Sequence, residues 1–158
     1  MGMPGAVGIA LLAIGCVLTG CAGQGGGGGG TSQPSCKPPK GGPTVSFASN
    51  IQPIFNRSCA VAASCHAGPG SANLDLTAGT AYGQTVGVRS TQLRNLKRVD
   101  PGKPDVSYLV RKIRGGPNLS GTSMPQGCPA TPLSGAQCLS ADDIASIVQW
   151  VTECAPNN

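Results

Sequence analysis

The stretch Ser58–His66, SCAVAASCH, places two cysteines either side of five residues and follows the second at once with a histidine. His66 is the only histidine in the 158-residue chain. Three chemistries suit these residue types. The cysteines can close a disulfide with each other. They can join the imidazole and the thioether of Met124 as soft ligands to a metal such as copper. Or they can form thioether links to a haem, with His66 on the iron. Covalent haem attachment ordinarily reads Cys-x-x-Cys-His, whereas here the spacing is Cys59-x5-Cys65-His66. An iron that only carries electrons also needs a second axial ligand, commonly His or Met. Met1 and Met3 stand at the N-terminus, which leaves Met124 in the loop SGTSMPQG. A lone Met is usually a core filler. Met124, however, lies on no apolar stripe, and a Gly/Pro loop can bring its thioether to a metal.

Six cysteines remain after Cys16 and Cys21 near the N-terminus: Cys36, Cys59, Cys65, Cys128, Cys138 and Cys154. An even number fits three disulfides, or two disulfides with Cys59 and Cys65 engaged by a cofactor. Cys128 and Cys138 enclose the turn-rich PATPLSGAQ, where a local bridge is easy, and Cys36 with Cys154 would then tie the end of the Gly/Pro-rich stretch to the C-terminal helix. Spacing does not fix the connectivity.

Residues 1–20 read as a removable leader. Ala6 to Leu18 is an apolar run of signal-peptide length, short for a permanent membrane span. It ends in Leu18-Thr19-Gly20-Cys21, which resembles the lipobox of bacterial lipoproteins. That resemblance implies cleavage before Cys21, lipidation of Cys21 and an exported, membrane-anchored protein, facing the periplasm or in the outer membrane. Ala22, where Asp would favour inner-membrane retention, leans towards the outer membrane. Export permits disulfides. Residues 21–44 then carry the lipidated cysteine and a Gly/Pro-rich stretch with no periodicity, a tether of about 25–30 Å r.m.s. span beyond Cys21.

The remainder, 45–158, is one domain, and its elements are helical. Phe47, Ile51, Ile54 and Phe55 form a stripe for a helix that begins near Asn50, with Ser46 or Ser49 as N-cap and Pro53 in its first turn. A short helix is expected from Ala78 to Val86, stopped by Gly87. Another follows the Pro-Gly turn at Pro101, with Val106, Leu109, Val110 and Ile113 on one face. The last starts at Ser140 as N-cap, with Asp142 and Asp143 in its first turn. Its expected buried stripe is Ile144, Ile147, Val148 and Val151, flanked by Trp150. No run alternates with period two. The fold class is therefore all-α: three to four helices joined by long Gly/Pro-rich loops. With only five aromatics (Phe47, Phe55, Tyr82, Tyr108, Trp150), such a chain is short of core and is helped by disulfides, a large apolar cofactor, or both.

The formal net charge is +5, and eight of the eleven basic residues fall between Arg89 and Arg114. Without aromatic interleaving or a recognition motif this is not a nucleic-acid surface. It is a solvated face, or a patch in which Lys97, Arg98, Lys103, Arg111, Lys112 and Arg114 steer an acidic partner or balance an anionic cofactor.

In their order, FASNIQPIFNRSC, the Cys65–His66 pair, DPGKPDVSYLVRKI, MPQG and LSADDIASIVQWV resemble the cytochrome-c-like domains of exported bacterial proteins, from about Val45 to Val151. The resemblance implies a small cytochrome-c-like bundle around one haem c. In it Cys59 and Cys65 make the thioether bonds, His66 is the proximal ligand and Met124 the distal one. It implies electron transfer with a redox protein partner and no catalysis. The departure is the five-residue gap between the cysteines. The alternative is a non-haem, disulfide-stapled lipoprotein domain in which Cys59 bonds Cys65.

Overall fold

A computed structural model describes Gly2 and residues 36–158. The leader, Cys21 and the tether up to residue 35 lie outside the described residues. The chain divides into Met1–Gly30 and Thr31–Asn158, and residues 36–158 belong to the second unit.

The domain is all-α. Among the described residues there is no strand, only isolated bridges such as Val86 with Val99. A π-helical turn, Phe47–Ile51, runs straight into α1, Gln52–Ser58. Ser46 caps the turn by accepting from the Ser49 amide, and Pro53 sits in the first turn of α1, where its missing N–H is harmless. Helix α2 is Ala81–Thr85, α3 is Tyr108–Arg114 and α4 is Ala141–Thr152.

α2 is shorter at its start than the sequence pattern suggests. Gly79 has φ +85°, a conformation that no α-helix contains, so the chain turns there before α2 begins. α3 starts later than its apolar spacing implies. Ser107 is extended (φ −81°, ψ 120°), which leaves Val106 in a separate 3₁₀ turn, Pro104–Val106, and 39 % exposed. Tyr108 takes the buried place expected of Val106.

In α4 the Ser140 cap is reciprocal. Its hydroxyl accepts from the Asp143 amide while the Asp143 carboxylate accepts from the Ser140 amide. The buried stripe is rotated from the expected one: Ile147, Trp150 and Val151 are fully buried, and Ile144 and Val148 pack at its margin. Trp150 is thus central rather than flanking. Its indole N–H donates to the Pro156 carbonyl, so the polar end of the ring is satisfied in the core.

Phe47, Phe55, Tyr82 and Trp150 form one aromatic cluster, with ring centres 5.3–6.5 Å apart. α4 packs against the Phe47–Ile51 turn and against α3. Arg57 at the end of α1 pairs with Asp143 at the start of α4, so the motif loop leaves α1 from a fixed point.

Two disulfides are present, Cys36–Cys154 and Cys128–Cys138. The first lies beside a second link between the same chain segments. Glu153, 2 % exposed, accepts hydrogen bonds from the amides of Thr44 and Val45 and from the Thr44 hydroxyl. Gly102, at φ +77°, lies where a Cβ would come within 2.6 Å of the Cys36 sulfur, so that crossing requires glycine.

Candidate functional site

Helix α1 ends at Cys59, and the chain from Ala60 to Gly70 has no regular structure. It is nonetheless closed on itself. The His66 amide donates to the Cys59 carbonyl (3.2 Å), and the Cys65 and Ala67 amides both donate to the Ala62 carbonyl (2.9 and 3.1 Å). The five residues between the cysteines therefore form a folded-back bulge whose mouth is the Cys59–His66 hydrogen bond. Gly70 locks it: a Cβ there would lie 2.5 Å from the carbonyl oxygens of both Ala63 and Cys65.

Cys59 and Cys65 are unpaired, unlike the other four cysteines of the domain. Burial, then the nearby Cys65, push the Cys59 thiol up to about 12, with Arg57 opposing. It is a protonated thiol at neutral pH, so Cys59 is not poised as a reactive thiolate.

His66 Nδ1 lies 3.2 Å from the Leu74 carbonyl. A carbonyl only accepts, so Nδ1 carries the proton and donates. Burial holds the ring below its ordinary value, and the charges of Arg98 and Lys112 act the same way, against hydrogen bonds to the carbonyls of Leu74 and Ser71. The ring is thus neutral at pH 7, with the proton on Nδ1 and the lone pair on Nε2. A ligating histidine that donates its other nitrogen to a carbonyl is the usual arrangement at metal sites. The segment that supplies this carbonyl is held in turn by Asp75, which accepts from the amides of Gly68 and Thr77 and from the Thr77 hydroxyl.

The four residues singled out by type and spacing come together. A cavity of about 150 Å³ is lined by Cys59, Cys65, His66 and Met124. A second, of about 250 Å³, shares Cys59, His66 and Met124 with it and adds an apolar wall of Leu74, Leu76, Leu109 and Ile113. The two cavities meet at these shared side chains. Ser58, 2 % exposed, lines the first cavity with a hydroxyl that has no hydrogen-bond partner.

No family model, curated protein or solved structure matches this chain. Among the described residues no group of three or more His, Cys, Asp or Glu side chains gathers so as to hold an ion by itself. A soft-metal cage of Cys59, Cys65 and His66 is therefore not assembled. A single imidazole and a single thioether on the wall of one apolar cavity suit, instead, a metal that brings its other ligands with it.

Two residues of the basic stretch prove to be part of this wall. Arg98 and Lys112 are only 8 % and 7 % exposed and both line the larger cavity. Arg98 donates to the carbonyls of Gln84, Ala72 and Asn73, and Lys112 to those of Ser120 and Thr122. Among the described residues neither pairs with a carboxylate. Carbonyls satisfy their donors but do not neutralise the two buried charges, which favour an occupant with negative charge. The other members of the stretch are at the surface. Lys97 and Lys103 pair with Asp100, and Arg114 approaches Asp105. Nothing in the sequence separated Arg98 and Lys112 from these neighbours, because both look like ordinary members of a charged face.

Proposed function

We propose that this chain is a membrane-anchored, single-haem electron-transfer protein with covalent haem c. In this reading Cys59 and Cys65 hold the haem by thioether links, His66 and Met124 are its axial ligands, and the helices form a cytochrome-c-like bundle around it. The observation that carries the reading is the convergence of both unpaired cysteines, the only histidine and Met124 on one cavity, with His66 Nδ1 already engaged by Leu74. The residues present fit the group: an apolar wall for a flat macrocycle, and Arg98 and Lys112 for its two carboxylates.

When bound, the haem supplies a one-electron couple. The chain's own residues do the rest. Two covalent links retain the cofactor in an exported protein. His66 and Met124 would both ligate the iron and so leave it no position for a substrate, which makes the role electron transfer rather than catalysis. Leu74, Leu76 and Leu109 keep water off, and a thioether ligand in an apolar site favours a high potential. Lys103, Arg111 and Arg114 at the surface would steer an acidic redox partner. Lipidated Cys21 would hold the domain to the membrane.

The test is to produce the full chain in a host competent for c-type maturation and record absorbance and intact mass. A Soret band that survives acid–acetone extraction, with one haem added to the mass, is the expected result. A colourless protein from that host, with the mass of the polypeptide and lipid alone, would end the reading.

A further inference from the structure

Met124 has no element of its own to hold it. The segment from Gly115 to Met124 contains no helix or strand, and Gly115, Gly116, Asn118 and Gly121 all have positive φ. Among the described residues no backbone hydrogen bond joins one residue of this segment to another. What fixes it comes from α3. Lys112 Nζ donates to the carbonyls of Ser120 (2.7 Å) and Thr122 (2.8 Å), and the Lys112 carbonyl accepts from the Met124 amide (2.8 Å). Four residues earlier on the same helix, the Tyr108 hydroxyl accepts from the Ser120 amide (3.1 Å). The Lys112 ammonium lies 5.7 Å from the centre of the Tyr108 ring, close enough for a cation–π attraction that binds the two together.

We propose that Lys112, supported by Tyr108, is the positioning residue for Met124: its buried ammonium clamps the loop at Ser120 and Thr122 and thereby places the thioether on the cavity it shares with His66. This rests on the haem reading for what Met124 ligates, while the clamp itself does not. The choice of lysine follows from the demand. The loop offers two carbonyls on one side of α3, and a single ammonium with three donors satisfies both from inside the fold. An apolar residue of the same length would fill the space and offer the loop no donor, which leaves the Ser120 carbonyl with the longer Tyr108 hydroxyl contact (3.4 Å) and the Thr122 carbonyl to solvent. The positive charge is a consequence of the clamp, and it also serves the anionic end of the cavity.

The test uses the full chain from a haem-attaching host, as Lys112→Met, Lys112→Arg and Tyr108→Phe. Two readouts are taken: amide hydrogen exchange at Ser120 and Met124 relative to α4, and the far-red band of sulfur–iron(III) ligation with the reduction potential. For Lys112→Met the expected result is exchange at Ser120 and Met124 at least about tenfold faster, equivalent to about 1.4 kcal/mol, with α4 unchanged. The far-red band should be lost and the potential lowered while the haem stays attached. Lys112→Arg should restore the band. Native exchange at 120–124 and an intact band in Lys112→Met would overturn the proposal, as would a loss of stability spread equally over α4. If Lys112→Met does not fold, Tyr108→Phe decides: faster exchange at Ser120 supports the clamp, and native exchange there refutes it. If the wild type carries no haem, the functional reading fails, and the exchange arm still judges the clamp.

Discussion

Replacing Glu153 by Gln keeps the shape of the side chain and removes its charge. In the native protein Oε2 accepts from the amides of Thr44 and Val45, both at 2.9 Å, and Oε1 accepts from the Thr44 hydroxyl and from Gln149 Nε2. Burial alone would raise the carboxyl. The hydrogen bonds, led by those of the Thr44 and Gln149 side chains, outweigh it and bring the carboxyl from its ordinary 4.5 down to about 2. The folded value is the lower one, so the contribution to stability is fully present above pH 4.5 and is lost as pH falls towards 2. At about 1.36 kcal/mol per pH unit, the contribution is about 3 kcal/mol. That is a large share of the roughly 5–15 kcal/mol that holds a domain together. Glu153→Gln should therefore cost about 3 kcal/mol at pH 7 and nearly nothing at pH 2. The assay is urea unfolding of both proteins, disulfides intact, at pH 7, 4 and 2.5. Asp75 and Asp143, also held low by hydrogen bonds, titrate in both proteins and cancel in the difference. A gap between the two that stays constant across this range would refute the reasoning.

The remaining predictions concern the cavity. Met124→Ala should lower the reduction potential and let the reduced protein bind carbon monoxide, followed by difference spectroscopy; an unchanged spectrum would remove Met124 from the iron. Denatured without reductant, haem-free protein that has lost its leader and carries lipid on Cys21 should show two alkylatable thiols, on Cys59 and Cys65, and haem-bearing protein none. One remaining thiol, mapped to Cys59, would mean that only Cys65 forms a thioether. Gly70→Ala forces the carbonyls of Ala63 and Cys65 apart and should lower the yield of haem-bearing protein per polypeptide more than it lowers the unfolding midpoint of the haem-free chain. Equal losses in both would make Gly70 an ordinary fold glycine.

What could be read ahead of the structure was whatever is local. The Ser140 cap, the turn residues around Cys128 and Cys138, and the types of Cys59, Cys65, His66 and Met124 all carry their meaning within a few residues. The partners that complete them do not. The carbonyl that takes the His66 proton belongs to Leu74, and its position depends on Asp75 and Thr77 folding back. Glu153 finds its donors 109 residues away. Lys112 reads as part of a basic face because helical periodicity says which side of α3 a residue occupies and not what loop lies over that side. The Val106 to Tyr108 exchange has the same origin. One extended residue, Ser107, resets the helical phase, and composition gives no notice of it.

The bridge between Cys36 and Cys154 encloses residues 37–153, and the whole cavity with them, in one covalent ring. Any pull arriving along the chain from the N-terminal side is grounded at the far end of α4, so it cannot peel the motif bulge or the Met124 loop away in turn. A thiol reductant would open that ring and let the same pull run through Thr44 and Val45 into α1, towards the cysteines themselves. The staple thus decides whether mechanical load on the chain ahead of Cys36 reaches the cavity at all.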